Sequence, residues 1–166
     1  MGLFRRRRPG GSRFDRDAPA ASTPNTHIQP VNDVERGWIT EHLDHLLAVG
    51  VDVRDAEQLG AHYDTLLARW LGTPDRLRRD PNPDVNLIGL GLGAHLAGRT
   101  GLEWAVVSDE ASTEIALYAS LGDIMIYPTN AVAKRWVGHE IGFLPDFAEA
   151  TVQTITHIQA AHRTGS

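Results

Sequence analysis

The 166-residue chain contains no cysteine. That excludes a disulfide scaffold, a thiol nucleophile and a thiolate metal site, and it fits a reducing compartment. No apolar run approaches the length of a membrane span. The basic run Arg5–Arg8 resembles the start of a secretory leader. Pro9, Gly10, Gly11, Ser12 and Arg13 follow it in place of an apolar segment, so no leader is expected. Gly2 does not make a myristoylation motif, because Arg6 stands where Ser or Thr is wanted. There is no internal repeat, no G-x-S-x-G elbow and no H-E-x-x-H pair.

What is present divides unevenly. Apolar residues make up 42% of the chain, enough for one folded domain. The net charge of −5 hides an asymmetry. Residues 1–31 hold six arginines against two aspartates, +4, and the remainder carries −9. The first 31 residues are rich in Arg, Gly, Pro, Ala, Ser and Thr and offer little to bury. The composition predicts a disordered basic arm over 1–31 and a single domain over 32–166.

Within 32–166 the apolar spacing predicts elements. Asn32 or Asp33 caps a helix carrying Val34, Trp38, Ile39, Leu43, Leu46 and Leu47, ended by Gly50. Asp55 and Gln58 form a capping box for a second helix that places Leu59, Tyr63, Leu66, Leu67 and Trp70 on one face. Residues 73–84, with three prolines, read as a loop, and 85–98 as a glycine-rich, closely packed helix. Three strands follow at 102–108, 113–119 and 123–127. Their connections are too short for parallel crossovers, so the sheet is predicted to be an antiparallel meander. Pairing Ser108 with Thr113 and Ala119 with Ile124 puts Trp104, Val106, Ile115, Leu117, Ile124 and Ile126 on one core face. The other face receives Glu103, Ala105, Val107, Glu114, Ala116, Tyr118, Met125 and Tyr127. Thr129 or Asn130 caps a short helix, and Asp146 with Glu149 opens a final one near 147–162. The expected fold is α+β: a three-stranded antiparallel sheet with about five helices, packed mainly on one face.

Few residues carry chemistry. Gly89-Leu90-Gly91-Leu92-Gly93-Ala94, with Asp109 twenty residues on, matches a dinucleotide fingerprint. The context does not, because no βαβ unit surrounds it, and a tightly packed helix is the better reading. Eight histidines occur, among them His42 and His45 one turn apart beside Glu41. No metal-ligand spacing joins them, so they read as surface or core-edge residues, and no cofactor or metal is expected. Ser108-Asp109-Glu110 reads as a hairpin tip. Glu103 and Glu114 share the mixed face, with Lys134 and Arg135 as balancing charges. Arg5, Arg6, Arg7 and Arg8 could touch an anionic surface weakly and salt-sensitively.

From 87 to 136 the chain resembles a bacterial family of unknown function, domain family 3806. The resemblance rests on Thr100-Gly101-Leu102-Glu103-Trp104-Ala105-Val106-Val107, on Asp109-Glu110, and on Ile126-Tyr127-Pro128 followed by Lys134-Arg135-Trp136, with Gly93 and Leu96 upstream. Ala111-Ser112 stands where family members often carry Tyr-Gly. The resemblance implies a fold segment and no activity. Glu103, Asp109, Lys134 and Arg135 are its polar residues and form a candidate recognition cluster; a buried Glu103 would pair with Lys134 or Arg135. Tyr118, Met125 and Tyr127 form a candidate protein interface. The leading expectation is a non-enzymatic, cytoplasmic protein-interaction or regulatory domain. The alternatives are a small enzyme using Glu103 or Asp109 as acid or base, and arm-mediated binding to an anionic surface.

Overall fold

The structure is a computed structural model and describes residues 18–165. Arg5–Arg8 therefore lie outside the described residues. The elements run β1 (His27–Pro30), α1 (Asp33–Ala48), α2 (Ala56–Gly72), a single 3-10 turn (Asp75–Leu77), α3 (Asn82–Thr100), β2 (Glu103–Ser108), β3 (Thr113–Ala119), β4 (Ile124–Ile126), α4 (Pro128–Val137) and α5 (Leu144–Thr164). The α+β class and the antiparallel sheet are as expected, but the sheet has four strands in the order β1-β2-β3-β4.

The predicted register holds throughout the meander. Ser108 pairs with Thr113, Trp104 with Leu117, Val106 with Ile115, Ala119 with Ile124 and Leu117 with Ile126. The core face follows from that parity. Leu117, Ile124 and Ile126 join the main core with residues of the helices, while Val106, with Trp104 and Ile115, packs on Val31, Ile39 and Leu90.

The added strand corrects the boundary of the arm. Pairing of β1 with β2 runs from His27 opposite Ser108 to Pro30 opposite Ala105. Four residues with one aliphatic side chain give no strand signal in sequence. Their stabilisation comes from the free edge of β2 and from Ile28, which packs with Val107. Pro30 is tolerated because an edge strand has one side free of ladder bonds. Upstream, Ala20 exchanges two backbone hydrogen bonds with Met125, at 2.9 and 2.8 Å. Ala20 thus sits on the outer edge of β4, while His27 sits on the outer edge of β2. Between these two lines the chain makes one turn, in which the Thr26 N–H donates to the Thr23 carbonyl at 2.9 Å. Ser22 anchors this segment to Asp123 in the β3–β4 turn, through Oγ at 2.7 and 2.9 Å, and Asn25 donates to Glu110 at 3.1 Å.

Helix α3 is the axis of the molecule. It begins at Asn82, earlier than expected, because Pro81 and Pro83 occupy positions at a helix start where no intrahelical N–H bond is needed. It runs through the glycines as a packed helix, not a phosphate-binding turn. A Cβ on Gly89 would stand 2.6 Å from the Cα of Thr129, and one on Gly93 2.1 Å from the Trp104 ring. These glycines let α4 and β2 approach α3 closely.

Asn32 caps α1 with a full capping box to Glu35, and Asp55 caps α2 by accepting from the N–H groups of Glu57 and Gln58. Gln58 turns its carbonyl to the Asp52 N–H, at 3.1 Å. The expected caps of the last two helices do not form. Both helices instead have proline in the first turn. Asn130 donates to Glu114 at 3.1 Å, and Glu149 pairs with Arg99 at 3.2 Å.

Candidate functional site

Of the residues singled out in sequence, Glu103 and Asp109 stand at opposite ends of β2, and Tyr118, Met125 and Tyr127 gather in one cluster. Glu103 is exposed at one end of β2, beside a cleft of about 540 Å³ that Arg36 and Trp104 also line. Asp109 follows the other end of the strand, where its Oδ1 accepts from the N–H groups of Ala111 and Ser112, at 2.8 and 2.9 Å. That is turn chemistry, as the hairpin reading required. Arg135 lies 3.8 Å from Glu140 and stacks over Phe143 and Phe147. Lys134 is half-buried on α4. The Glu103 ion pair with Lys134 or Arg135 is absent, because Glu103 is solvated and needs no partner.

The expected interface is not open either. Met125 and Tyr127 are buried, together with Val107 and Ala116. The Tyr127 hydroxyl reaches Met125 Sδ at 3.5 Å. Tyr118 is half-buried and donates to Asp123 at 3.2 Å, the carboxylate that also holds Ser22. Burial first and the bond to Asp123 next push the Tyr118 phenol up. The Ser22 hydroxyl is the main cause holding the Asp123 carboxyl below its ordinary value; burial opposes it, and the Ser22 N–H and the Tyr118 hydroxyl reinforce it.

A different site emerges from the helices. Helices α1 and α2 both pack on α3, and Leu46 and Leu59 close together over Gly91. Away from that point the two helices diverge and leave a cleft of about 600 Å³. Helical spacing aligns its walls. His42, His45 and Val49 come from one stripe of α1; His62, Leu66 and Arg69 come from one stripe of α2. Leu87 and Asp84, one turn apart on α3, form the floor.

Asp84 is buried, and Arg79 answers it with one nitrogen at 3.0 and 2.8 Å from the two carboxylate oxygens. This pair closes on itself. A second lobe of about 350 Å³ continues past it, sharing Leu66, Arg69, Arg79 and Asp84 and adding Arg78. Arg78 is occupied: it donates to the carbonyls of Trp70, Leu71 and Thr73, pairs with Asp75 at 2.8 Å and lies over the Trp70 ring. The Arg69 side chain, by contrast, has no hydrogen bond or ion pair among the described residues, and neither do the His45 and His62 rings. His42 donates Nδ1–H to the Trp38 carbonyl at 2.8 Å, which leaves its Nε2 free. Burial is the main cause pushing the His62 imidazole below its ordinary value; His45 and Arg69 add to it and Asp84 opposes it.

The cleft lining sets Arg69 and Arg79 against Glu41 and Asp84, and of the two arginines only Arg79 is paired with a carboxylate. Residues 69–79 hold four arginines and one aspartate, inside a domain that carries −9. His42 and His45 were visible in sequence as a pair; His62, Arg69, Arg79 and Asp84 were not. The readable signal was His62, Leu66 and Arg69 at i, i+4 and i+7, a polar end on each side of an apolar residue. Among the described residues no group of three or more His, Asp or Glu side chains is placed to hold a metal ion. None of the described helices is long and apolar enough to cross a membrane.

The fold and site define an α+β domain with a four-stranded antiparallel sheet and an open cleft between helices on its covered side. Residues 66–147 match the model of a family described as a domain of unknown function, DUF3806, and over this stretch the chain resembles that family. The match extends beyond 87–136 at both ends. It includes Arg69, Arg79, Asp84 and Leu87 and leaves the α1 wall and His62 outside. No curated protein and no solved structure matches the chain.

Proposed function

We propose that this is a non-enzymatic binding domain whose working surface is the cleft between α1, α2 and α3. One observation carries the reading: the cleft combines apolar surface from Leu66 and Leu87 with polar side chains, Arg69, His45 and His62, that no group among the described residues satisfies. A concave site of this volume with a few convergent polar groups is the usual form of a small-molecule site. Asp84 is held by Arg79, so the buried carboxylate of the cleft is already engaged. That favours binding over acid–base turnover.

The test is a thermal-shift screen with neutral, cationic and anionic small molecules, run on the full chain and on His45→Trp. His45 is exposed, so a bulky residue there obstructs the cleft without entering the core. Ligands that raise the wild-type melting temperature should lose that effect in the variant. Equal shifts in both proteins, or none from any compound, would remove the reading.

The small-enzyme reading keeps one observation in its favour. An imidazole pushed below its ordinary value, as at His62, is neutral at physiological pH and suits a general base. It moves the chemistry away from Glu103 and Asp109, which stand at opposite ends of β2. A protein interface through Tyr118, Met125 and Tyr127 requires Met125 and Tyr127, both buried, to be uncovered first.

A further inference from the structure

The cleft assigned to ligand binding also carries a chemical preference, which depends on that assignment. We propose that it takes an oxyanion, a carboxylate or phosphate monoester, borne on a small apolar body. Arg69 is the fixed cationic contact, His45 and His62 are imidazole contacts, and Leu66 with Leu87 seats the apolar part.

Unmet charge selects the ligand class. Of the two arginines lining the cleft of about 600 Å³, Arg79 is neutralised by Asp84 at 2.8 Å. Arg69 is left with its full charge and five donors. The imidazoles add further donors when protonated. The opposing groups are Glu41, exposed on the α1 rim, and Asp84, which Arg79 already answers. An oxyanion satisfies Arg69 and the imidazoles together; a neutral or cationic ligand satisfies neither. The apolar floor prefers an organic acid to a bare inorganic ion, because the buried Leu66 and Leu87 present carbon, not donors.

The same groups link binding to protons. The charged and titratable groups facing His62 are Glu41, His42 and His45 from α1, Arg69 from its own helix, Arg79 from the loop and Asp84 from α3. Without ligand, burial and the neighbouring cationic groups disfavour the imidazolium. An oxyanion reverses that balance, so binding takes up protons and affinity rises as pH falls through the imidazole range.

The experiment is calorimetric titration of the full chain with four probes that share a ring: phenyl phosphate, benzoate, benzyl alcohol and benzylamine. Benzoate stays ionised from about pH 6 to pH 8, so it reports protonation of the protein alone. Phenyl phosphate or benzoate should bind, and comparing them identifies which oxyanion is preferred. Arg69→Gln should weaken that binding by about tenfold, the worth of one charge-assisted hydrogen bond. Benzoate affinity should rise by about tenfold or more from pH 8 to pH 6, and His62→Gln should flatten that rise. Arg69 is exposed on α2, so unfolding does not complicate its variant, and circular dichroism checks it. Binding of benzyl alcohol or benzylamine as tight as that of the anions, lost in His45→Trp, would overturn the oxyanion inference while the cleft remained a ligand site. Binding of no probe would overturn both, and so would anion binding indifferent to His45→Trp and to Arg69→Gln.

Discussion

The glycines of α3 give the sharpest check on the packing, because the same substitution has opposite signs at two positions. Gly→Ala in a helix interior gains about 1 kcal/mol from propensity alone. At Gly98 a Cβ meets nothing within 4 Å, so Gly98→Ala should stabilise by about 0.5–1 kcal/mol. At Gly89 the Cβ would stand 2.6 Å from Thr129 Cα and 2.7 Å from its Oγ1. Restoring a contact of ~3.5 Å means moving α4 backbone by roughly 1 Å. Overpacking of this kind costs about 1–3 kcal/mol; against a backbone atom the upper part of that range applies. Gly89→Ala should therefore lose about 1–2 kcal/mol net, after the propensity gain. In a chain of this size a change of about 1 kcal/mol moves the melting temperature by roughly 2–4 °C. Urea unfolding should show the midpoints moving in opposite directions with unchanged slopes. If Gly89→Ala proves as stable as Gly98→Ala, the close approach of α3 to α4 is wrong, and the glycine run loses its structural explanation.

Three further outcomes are expected. Tyr63 is fully buried with an unpartnered hydroxyl, so Tyr63→Phe should raise stability by about 1 kcal/mol in urea unfolding; a loss would reveal a hydrogen-bond partner. The Asp123 carboxyl is held below its ordinary value mainly by Ser22. Its contribution is therefore present above the ordinary aspartate value and is lost as pH falls through the lowered one. The protection factors of the Ala20 and Met125 amides, exchange rates taken relative to the intrinsic rate at each pH, should be high at neutral pH and fall in acid. Ser22→Ala should reduce the neutral-pH protection by about 0.5–1.5 kcal/mol and blunt the acid step. An acid step of unchanged size in that variant would remove Asp123 from this role. Arg79→Ala leaves the buried Asp84 carboxylate without its partner and should cost about 1–3 kcal/mol in urea unfolding; a cost near zero would mean that water already solvates Asp84.

The meander was legible because side-chain parity in a strand is strict. A one-residue slip would have placed Trp104, Val106 and Leu117 in solvent. Helices α1 and α2 were legible from Asn32 and Asp55, whose side chains satisfy N–H groups within three residues of themselves. The fourth strand was not. His27–Pro30 owes its structure to an edge about eighty residues away in sequence, and its own composition resembles that of the arm before it. The starts of α4 and α5 were misplaced for a related reason. Asn130 and Glu149 have cap-forming side chains, but Glu114 and Arg99 offer them tertiary partners, and local propensity yields to those bonds.

The cleft presents a different obstacle. Each of its walls is a helical stripe visible in sequence, yet nothing local says that the stripes of α1 and α2 face one another across Leu87. Whole-domain charge also misleads, because −9 averages a basic stretch at 69–79 into an acidic body. Once the three helices are placed, the site divides into parts with separable effects. Arg69 and Arg79 lie within the stretch that resembles DUF3806, and His42, His45 and His62 lie outside it. Arginine charge does not titrate in the accessible range, whereas imidazole charge does. Changes at Arg69 should therefore shift affinity at every pH, and changes at His62 should shift how affinity depends on pH. A site built merely to be solvated has no reason to show that division.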